Sequence, residues 1–172
     1  TGAPILVPAA DFASGKAVRI MGIRKAIDVT FLEAKRAHPR YPYTIDEVNP
    51  ARGKECEAQA MELYRVRDLP RKEAALFGAV RLFQQALAFN GGRWSFQDSN
   101  VDKIYTLARD ELISTITRLY SNAAGPEEKA DPKRAMETYK RILLMIPDPD
   151  NPIYRNVSRR MTDLNSVLSE TK

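Results

Sequence analysis

The sequence predicts an all-α protein made of antiparallel helix pairs stacked on one another, with about six helices and no sheet. Apolar residues recur every three or four positions along most of the chain, which is the period of an amphipathic helix. The eleven prolines fall mainly between these periodic stretches, and no stretch has a credible strand pattern. We expect residues 1–11 to be an extended segment and residues 12–172 to be a single helical-repeat domain.

The N-terminal helix is predicted over about residues 12–37. Its apolar stripe consists of Ile20, Ile23, Ile27, Phe31 and Ala34. Pro39 ends this helix, because the residue before a proline disfavours the helical conformation. An extended connector containing Tyr41 and Tyr43 follows.

The next helix is predicted over about residues 50–66. Thr44 and Glu47 have the spacing of a capping box, and Asn49 followed by Pro50 offers a second start. The residues expected to face inward are Cys56, Ala60 and Leu63, with Tyr64 beside them.

The central helix, over residues 70–92, has the longest apolar stripe of the chain. Pro70 can occupy its first position, and the Asn-Gly-Gly run at its end can stop it. The stripe consists of Leu76, Ala79, Val80, Phe83, Ala86 and Leu87. Phe83 lies in the middle of the stripe, so we expect it in the core.

Three further helices are predicted over about residues 99–120, 131–146 and 152–169, with a polar loop over residues 127–130. Their apolar positions recur at helical spacing. These positions are Ile104, Ala108, Leu112, Ile116, Leu119, Ala135, Met136, Tyr139, Ile142, Leu143, Ile146, Ile153, Val157, Met161, Leu164 and Leu168.

Asp131 and Pro132 form a clear helix start, an N-cap residue followed by a proline in the first turn. The connector after this helix contains three prolines. Asp148, Asp150 and Asn151 within it resemble fragments of a calcium loop, but they lack the glycine and the terminal glutamate of an EF-hand. We therefore expect a proline-stiffened connector and no metal site.

An internal repeat emerges when the chain is shifted by 56 residues. Six of the 28 positions from 63 to 90 are then identical, where ordinary composition gives about two. Leu63 aligns with Leu119, and Phe83 aligns with Tyr139. We expect the two helix pairs that contain these residues to superpose.

The same stretches resemble the second helix of a tetratricopeptide repeat, which has a small residue, an aromatic, a second small residue and a proline at fixed spacing. The matching sets are Ile27, Phe31, Ala34 and Pro39; Ala79, Phe83, Ala86 and Gly91, without the proline; and Ala135, Tyr139, Ile142 and Pro147. The first-helix signature is not clear, and the unit spacing of 52 and then 56 residues exceeds the usual value of about 34. The chain thus resembles a degenerate tetratricopeptide-like array with lengthened helices, with an irregular helical bundle as the alternative. The resemblance implies a right-handed stack whose concave face binds a protein or peptide partner.

No catalytic constellation stands out, so we expect a non-enzymatic protein with no cofactor and no metal. His38 is the only histidine, which excludes a His-rich metal site. Cys56 is the only cysteine, which excludes an intramolecular disulfide and a cysteine-based zinc site. We interpret Cys56 as a small core residue.

Aromatic side chains recur in the connectors that follow the second helix of each pair. They are Tyr41, Tyr43, Trp94, Phe96 and Tyr154. Two interpretations are open: the rings fill seams between helix pairs, or they form an aromatic ledge for a partner peptide.

The partner is expected along the helices at residues 50–66 and 99–120, the first members of their pairs. Tyrosine and arginine, the types that most often dominate interface energies, occur there at matching repeat positions. The predicted contact residues are Tyr64, Arg65, Arg118, Tyr120 and Asn122. The alternative is that both tyrosines pack between helices.

Residues 1–40 hold seven Lys and Arg against three Asp and Glu, so most of the net charge of +5 lies there. An alternative function is therefore binding of nucleic acid or an anionic surface through the N-terminal helix. The basic residues are Lys16, Arg19, Arg24, Lys25, Lys35, Arg36 and Arg40. They do not gather on one stripe and no nucleic-acid motif accompanies them, so we favour a protein partner.

The chain begins with Thr1 instead of methionine, as a trimmed or a processed chain does. Its first ten residues are small and apolar with no basic region, which fits the linker after a removed signal peptide. This interpretation favours a processed bacterial envelope chain over a cytoplasmic one. No apolar run approaches the roughly 18 residues of a transmembrane helix.

Overall fold

The computed structural model describes residues 22–24, 27, 48–91 and 95–170. Regular structure within these ranges is helical and contains no strand, which confirms the all-α prediction. The helices are α1 (Pro50–Val66), α2 (Ala75–Phe89), α3 (Ser99–Ser121), α4 (Pro126–Ala130), α5 (Pro132–Met145) and α6 (Pro152–Glu170). None of the helices in these ranges combines the length and the apolar character that crossing a membrane requires.

Some sequence predictions fall outside the described residues. Residues 22–24 and 27 are helical and lie within the predicted N-terminal helix. The rest of that helix is outside the described ranges, as are three of the predicted ledge residues, Tyr41, Tyr43 and Trp94.

Contacts between Cα atoms divide the chain into two compact units. The described residues of the first, called here the α1–α2 unit, are 48–91 and 95–112, which include the first part of α3. Those of the second, the α5–α6 unit, are 22–24, 27 and 113–170, with the end of α3 and all of α4. The single domain, the right-handed stack and the superposition of the two helix pairs stay predictions.

α1 and α2 pack against each other as an antiparallel pair. Asn49 caps the start of α1, as predicted, because its Oδ1 accepts a hydrogen bond from the amide of Arg52 at 3.2 Å. The amide of Asn49 also donates to the carbonyl of Phe89 at 2.9 Å, which ties the start of α1 to the end of α2. A Cβ atom on Gly53 would lie 2.8 Å from Oδ1 of Asn90, so this glycine leaves room for the Asn90 side chain at the end of α2.

The predicted start of the central helix at Pro70 is wrong, because α2 begins at Ala75. Arg71 has a φ of 63°, in the left-handed region, which interrupts a helix. The preceding residues form turns, in which the amide of Lys72 donates to the carbonyl of Leu69 at 3.2 Å. A helix starting at Pro70 is therefore not compatible with the backbone at Arg71.

α2 provides most of the core of its unit, since twelve of its 15 residues are buried. Phe83 is fully buried, which confirms its predicted place in the core. Its ring centroid lies 5.7 Å from that of Phe96 and 5.6 Å from that of Tyr105 on α3, and these last two are 5.8 Å apart. The three rings form one cluster in which Phe96 makes edge-on contacts with both other rings, the arrangement that aromatic quadrupoles favour, while Phe83 and Tyr105 are tilted at 52°.

The predicted polar loop over residues 127–130 is also wrong, because these residues belong to the short helix α4. Gly125, with a φ of 77°, turns the chain, and Pro126 occupies the first helical turn. Glu127 and Glu128 lie in that turn, where the helix dipole favours negative charge. α4 buries none of its residues.

α5 and α6 pack against each other and are joined by the proline-rich connector. Asp131 caps the start of α5 as predicted, because its carboxylate accepts a bond from the amide three residues on. In the connector, Oδ1 of Asp148 accepts from the amide of Asp150 at 3.0 Å, and Oδ1 of Asn151 accepts from the amide of Ile153 at 2.9 Å. These side chains thus fix the path of the connector and cap the start of α6.

Candidate functional site

Tyr64 and Arg65 lie in the last turn of α1, and neither is deeply buried. Arg65 is 75% exposed and makes two bonds to the carboxylate of Glu62, at 2.8 and 3.0 Å. The ring of Tyr64 is covered by the guanidinium of Arg67, whose Cζ lies 4.0 Å from the ring centroid. Burial raises the pKa of the Tyr64 phenol, so this side chain stays neutral at ordinary pH.

Two residues that the sequence did not single out hold the predicted contact residue Tyr64 in place. Arg67 packs on its ring, and Glu111 binds Arg67. Nε of Arg67 lies 3.0 Å from both carboxylate oxygens of Glu111 on α3, and Nη1 donates to the carbonyl of Tyr64 at 2.8 Å. The two residues are 44 positions apart in the sequence. No local sequence signal connects them, because their contact depends on how α1 and α3 are arranged within the unit.

The remaining predicted contact residues, at the end of α3, belong to the α5–α6 unit. Arg118 and Asn122 are exposed. Tyr120 is buried, and its hydroxyl donates to Oδ1 of Asn156 at 2.8 Å. Direct contact of the Tyr120 ring with a partner would require this packing to open.

A buried polar cluster joins α4, α5 and α6. Oε2 of Glu128 accepts a hydrogen bond from the hydroxyl of Tyr139 at 2.6 Å and another from Nη1 of Arg160 at 2.8 Å. The Arg160 guanidinium also lies over the ring of Tyr120, with Cζ 5.6 Å from its centroid. Burial and the hydrogen bond to Glu128 raise the pKa of Tyr139 far above its usual value, so its phenol stays protonated.

An open pocket of about 370 Å³ lies where α5 ends and α6 begins. Its lining residues are Lys140, Leu143, Leu144, Pro147 and Tyr154. Leu144 is 59% exposed, and with Leu143 and Pro147 it gives the pocket a largely apolar lining. Tyr154 is the ledge aromatic that follows α5, and it is half-buried in the opposite wall.

The other predicted ledge aromatic in the described residues, Phe96, is 9% exposed and packs in the cluster with Phe83. Cys56 is buried as predicted, and burial raises the pKa of its thiol. Of the seven basic residues proposed for an anionic ligand, only Arg24 is described, and it is exposed. Within the described ranges no three His, Cys, Asp or Glu side chains are grouped to hold a metal ion.

Comparisons with protein-family models, curated proteins and solved structures give no match for this chain. The tetratricopeptide resemblance therefore stays a prediction based on the residues quoted for it. Among the surfaces that the structure describes, the pocket around Leu144 combines exposed apolar side chains with a concave shape. It is the strongest candidate site for a ligand.

Proposed function

We propose that this chain is a non-catalytic protein-binding module that holds a short segment of a partner protein. The observation that supports this proposal is the exposure of Leu144 in the wall of an open pocket. Removing apolar surface from water stabilises a complex by roughly 25 cal/mol per Å². An apolar partner side chain that covers Leu144 therefore stabilises the complex, and this binding involves no chemical reaction.

The size and lining of the pocket suit one large side chain. Its volume of about 370 Å³ lies at the lower end of the range of roughly 300–1,000 Å³ for ligand sites. Leu143, Leu144 and Pro147 contribute apolar surface to the lining, while Lys140 and Tyr154 contribute polar groups. A mainly apolar lining with a few polar groups is typical of ligand sites.

The pocket is also pre-formed, which lowers the entropy cost of binding. Leu143 follows Ile142, which is fully buried, and Tyr154 follows Ile153, which is 1% exposed. Both walls are thus attached to core positions of α5 and α6. Pro147 has a fixed φ, so the connector between the walls has little freedom to rearrange.

Each unit also carries contact residues of its own in this proposal. The α1–α2 unit has the half-buried Tyr64 and the exposed Arg65, and the α5–α6 unit has the exposed Arg118 and Asn122. Tyrosine and arginine are types found at interface hot spots. We propose that each unit offers these residues as additional contacts. In this proposal Tyr120 does not contact the partner directly. Its buried hydroxyl holds the end of α3 to α6 through the bond to Asn156.

The test is selection of binding peptides from a random display library, followed by fluorescence anisotropy with synthetic copies of the enriched peptides. Leu144→Asp should raise their Kd about tenfold or more, because a charge cannot be buried under the bound side chain. The matched control is Leu107→Asp, since Leu107 is 50% exposed on α3 and lies outside the pocket. The control should bind like the wild type.

Failure to enrich any peptide would contradict the proposed function. Equal affinity of the wild type and Leu144→Asp for every enriched peptide would show that the peptides bind outside this pocket. Urea unfolding of both variants verifies that the leucine substitutions leave the fold intact, as surface changes usually cost within about 0.5 kcal/mol.

A further inference from the structure

The pocket lies at one end of a cationic helix face. α5 contains four cations, Lys133, Arg134, Lys140 and Arg141, and one carboxylate, Glu137, which gives the helix a charge of +3. All five side chains are exposed, as is Leu144. At about 100° per residue, these six positions fall within an arc of roughly 120°. The apolar pocket and the cationic surface therefore face the same side of α5.

Several carboxylates lie close to α5 in the sequence. Asp131, two residues before Lys133, is exposed and accepts the amide of Arg134 at 3.0 Å, and Glu127 is exposed on α4. Glu137 pairs with Lys140, with Oε1 of the carboxylate 2.7 Å from Nζ. Asp150 pairs with Arg155 at 3.2 Å, and Asp148 is buried and accepts a backbone hydrogen bond. The positive charge along α5 is thus only partly balanced by neighbouring side chains.

We infer that the partner segment is acidic, with one large aliphatic or aromatic side chain that fills the pocket and carboxylates that lie along α5. This inference rests on the proposed function and specifies the chemistry of its partner. Charge complementarity supports it, because opposite charges across an interface raise the association rate and disfavour neutral or basic competitors.

The helix geometry sets the spacing of the groups on the partner. Lys133 lies eleven residues before Leu144, which is about 16 Å along the axis at 1.5 Å per residue. An extended peptide covers that distance in about five residues. The acidic residues should therefore fall within about five positions of the apolar anchor if the segment is extended, and within about eleven if it is helical.

A polyanion is the competing occupant of a cationic face. Phosphate groups bind cations and hydrogen-bond donors, so the apolar lining of two leucines and a proline does not stabilise a bound phosphate. A nucleic acid would use Lys133, Arg134 and Arg141 without contacting Leu144. Dependence on Leu144 therefore separates an acidic peptide from a polyanion.

The test begins with the composition of the peptides enriched on the wild-type chain. Peptides that depend on Leu144 should carry Asp or Glu near one Leu, Ile, Phe or Trp residue. The double variant Lys133→Glu/Arg141→Glu should raise their Kd about tenfold or more, and raising the salt from about 50 to about 300 mM should weaken wild-type binding. The control Lys72→Glu/Lys103→Glu changes two exposed lysines of the α1–α2 unit and gives the same net charge, so it should bind like the wild type.

Three results would overturn the inference. Enriched peptides that depend on Leu144 but are neutral or basic would leave the proposed function standing and refute the acidic partner. An equal loss of affinity in both double variants would attribute the effect to net charge and not to α5. Tighter binding of a double-stranded DNA oligonucleotide than of any peptide, unchanged by the neutral substitution Leu144→Ser, would assign the face to a polyanion.

Discussion

The hydroxyl of Tyr139 donates a 2.6 Å hydrogen bond to Oε2 of Glu128, so α5 holds the short helix α4 through one carboxylate oxygen. The same oxygen accepts from Arg160 of α6, and both charged side chains are largely buried, at 18% and 19% exposure. Loss of this oxygen would leave a largely buried guanidinium and a phenol without their shared partner. Such loss is costly, because desolvated polar groups need compensation.

Glu128→Ala should lower the free energy of unfolding by about 3 kcal/mol, since breaking one side of a buried ion pair is strongly destabilising. Tyr139→Phe should cost less, about 2 kcal/mol, the usual value of one hydrogen bond to a charged group. Urea denaturation measures both. Glu127→Ala is the control, because Glu127 is exposed in the same helical turn. Equal stability of the two glutamate variants would show that the Glu128 cluster contributes nothing.

The raised pKa of Tyr139 predicts a pH dependence at the alkaline end. The phenol ionises at about pH 10 in the unfolded chain and only above that in the folded chain. Its contribution to stability is therefore complete below about pH 10 and is lost as the pH rises further, by up to about 1.4 kcal/mol per pH unit. Urea midpoints of the wild type should fall more steeply above pH 10 than those of Tyr139→Phe. Parallel curves for the two proteins would contradict a buried, neutral phenol.

Phe83→Ala should destabilise the chain by roughly 3–5 kcal/mol, the usual cost of truncating a buried phenylalanine. The ring is fully buried and contacts both Phe96 and Tyr105, so its removal leaves a cavity that several side chains share. Urea unfolding gives the magnitude. Leu107→Ala, at an exposed position of α3, is the control, and a cost below about 1 kcal/mol for Phe83→Ala would place the ring outside the core.

Gly53→Ala should destabilise the chain because the new Cβ would lie 2.8 Å from Oδ1 of Asn90. In an Asn90→Ala background the same change should be neutral or stabilising, since alanine has a higher helix propensity than glycine by about 1 kcal/mol. A double-mutant cycle of thermal or urea unfolding measures this coupling. Additive effects of the two changes would show that the Asn90 side chain does not pack over Gly53.

Arg65→Ala and Arg118→Ala test the additional contacts proposed for the α1–α2 unit and for the α5–α6 unit, each unit taken by itself. Both residues are exposed, so folding should change by no more than about 0.5 kcal/mol. Each change should weaken partner binding by roughly 1 kcal/mol or more if these arginines are hot spots. Fluorescence anisotropy with the selected peptides reads the effect, and unchanged affinity in the double variant would confine binding to the pocket around Leu144.

The sequence was most informative where the determinants are local. The N-caps Asn49 and Asp131 and the buried position of Phe83 were predicted, because capping side chains and helical periodicity act over a few residues. The start of α2 was wrong because nothing in the sequence indicates the left-handed backbone of Arg71, a residue type that rarely adopts it.

Contacts between distant residues were less accessible to prediction. Glu128 was assigned to a polar loop, although its carboxylate meets Arg160 from 32 positions away. For the candidate pocket, Tyr154 was identified from the recurrence of aromatic connectors, whereas Leu143 was assigned to the apolar stripe of its helix. Helical periodicity places Leu144 on the charged face of α5, outside the apolar stripe, but its part in a pocket depends on how α5 and α6 pack.

The dependence of α4 on Glu128 has a consequence for the order in which the chain assembles. Five residues are too few to form a persistent helix alone, and no residue of α4 is fully buried in the core. It can dock only after Tyr139 and Arg160 have been brought together by the pairing of α5 with α6. α4 should therefore form last during folding and open first in the native state, so that its amide protons exchange with solvent while α5 and α6 remain protected.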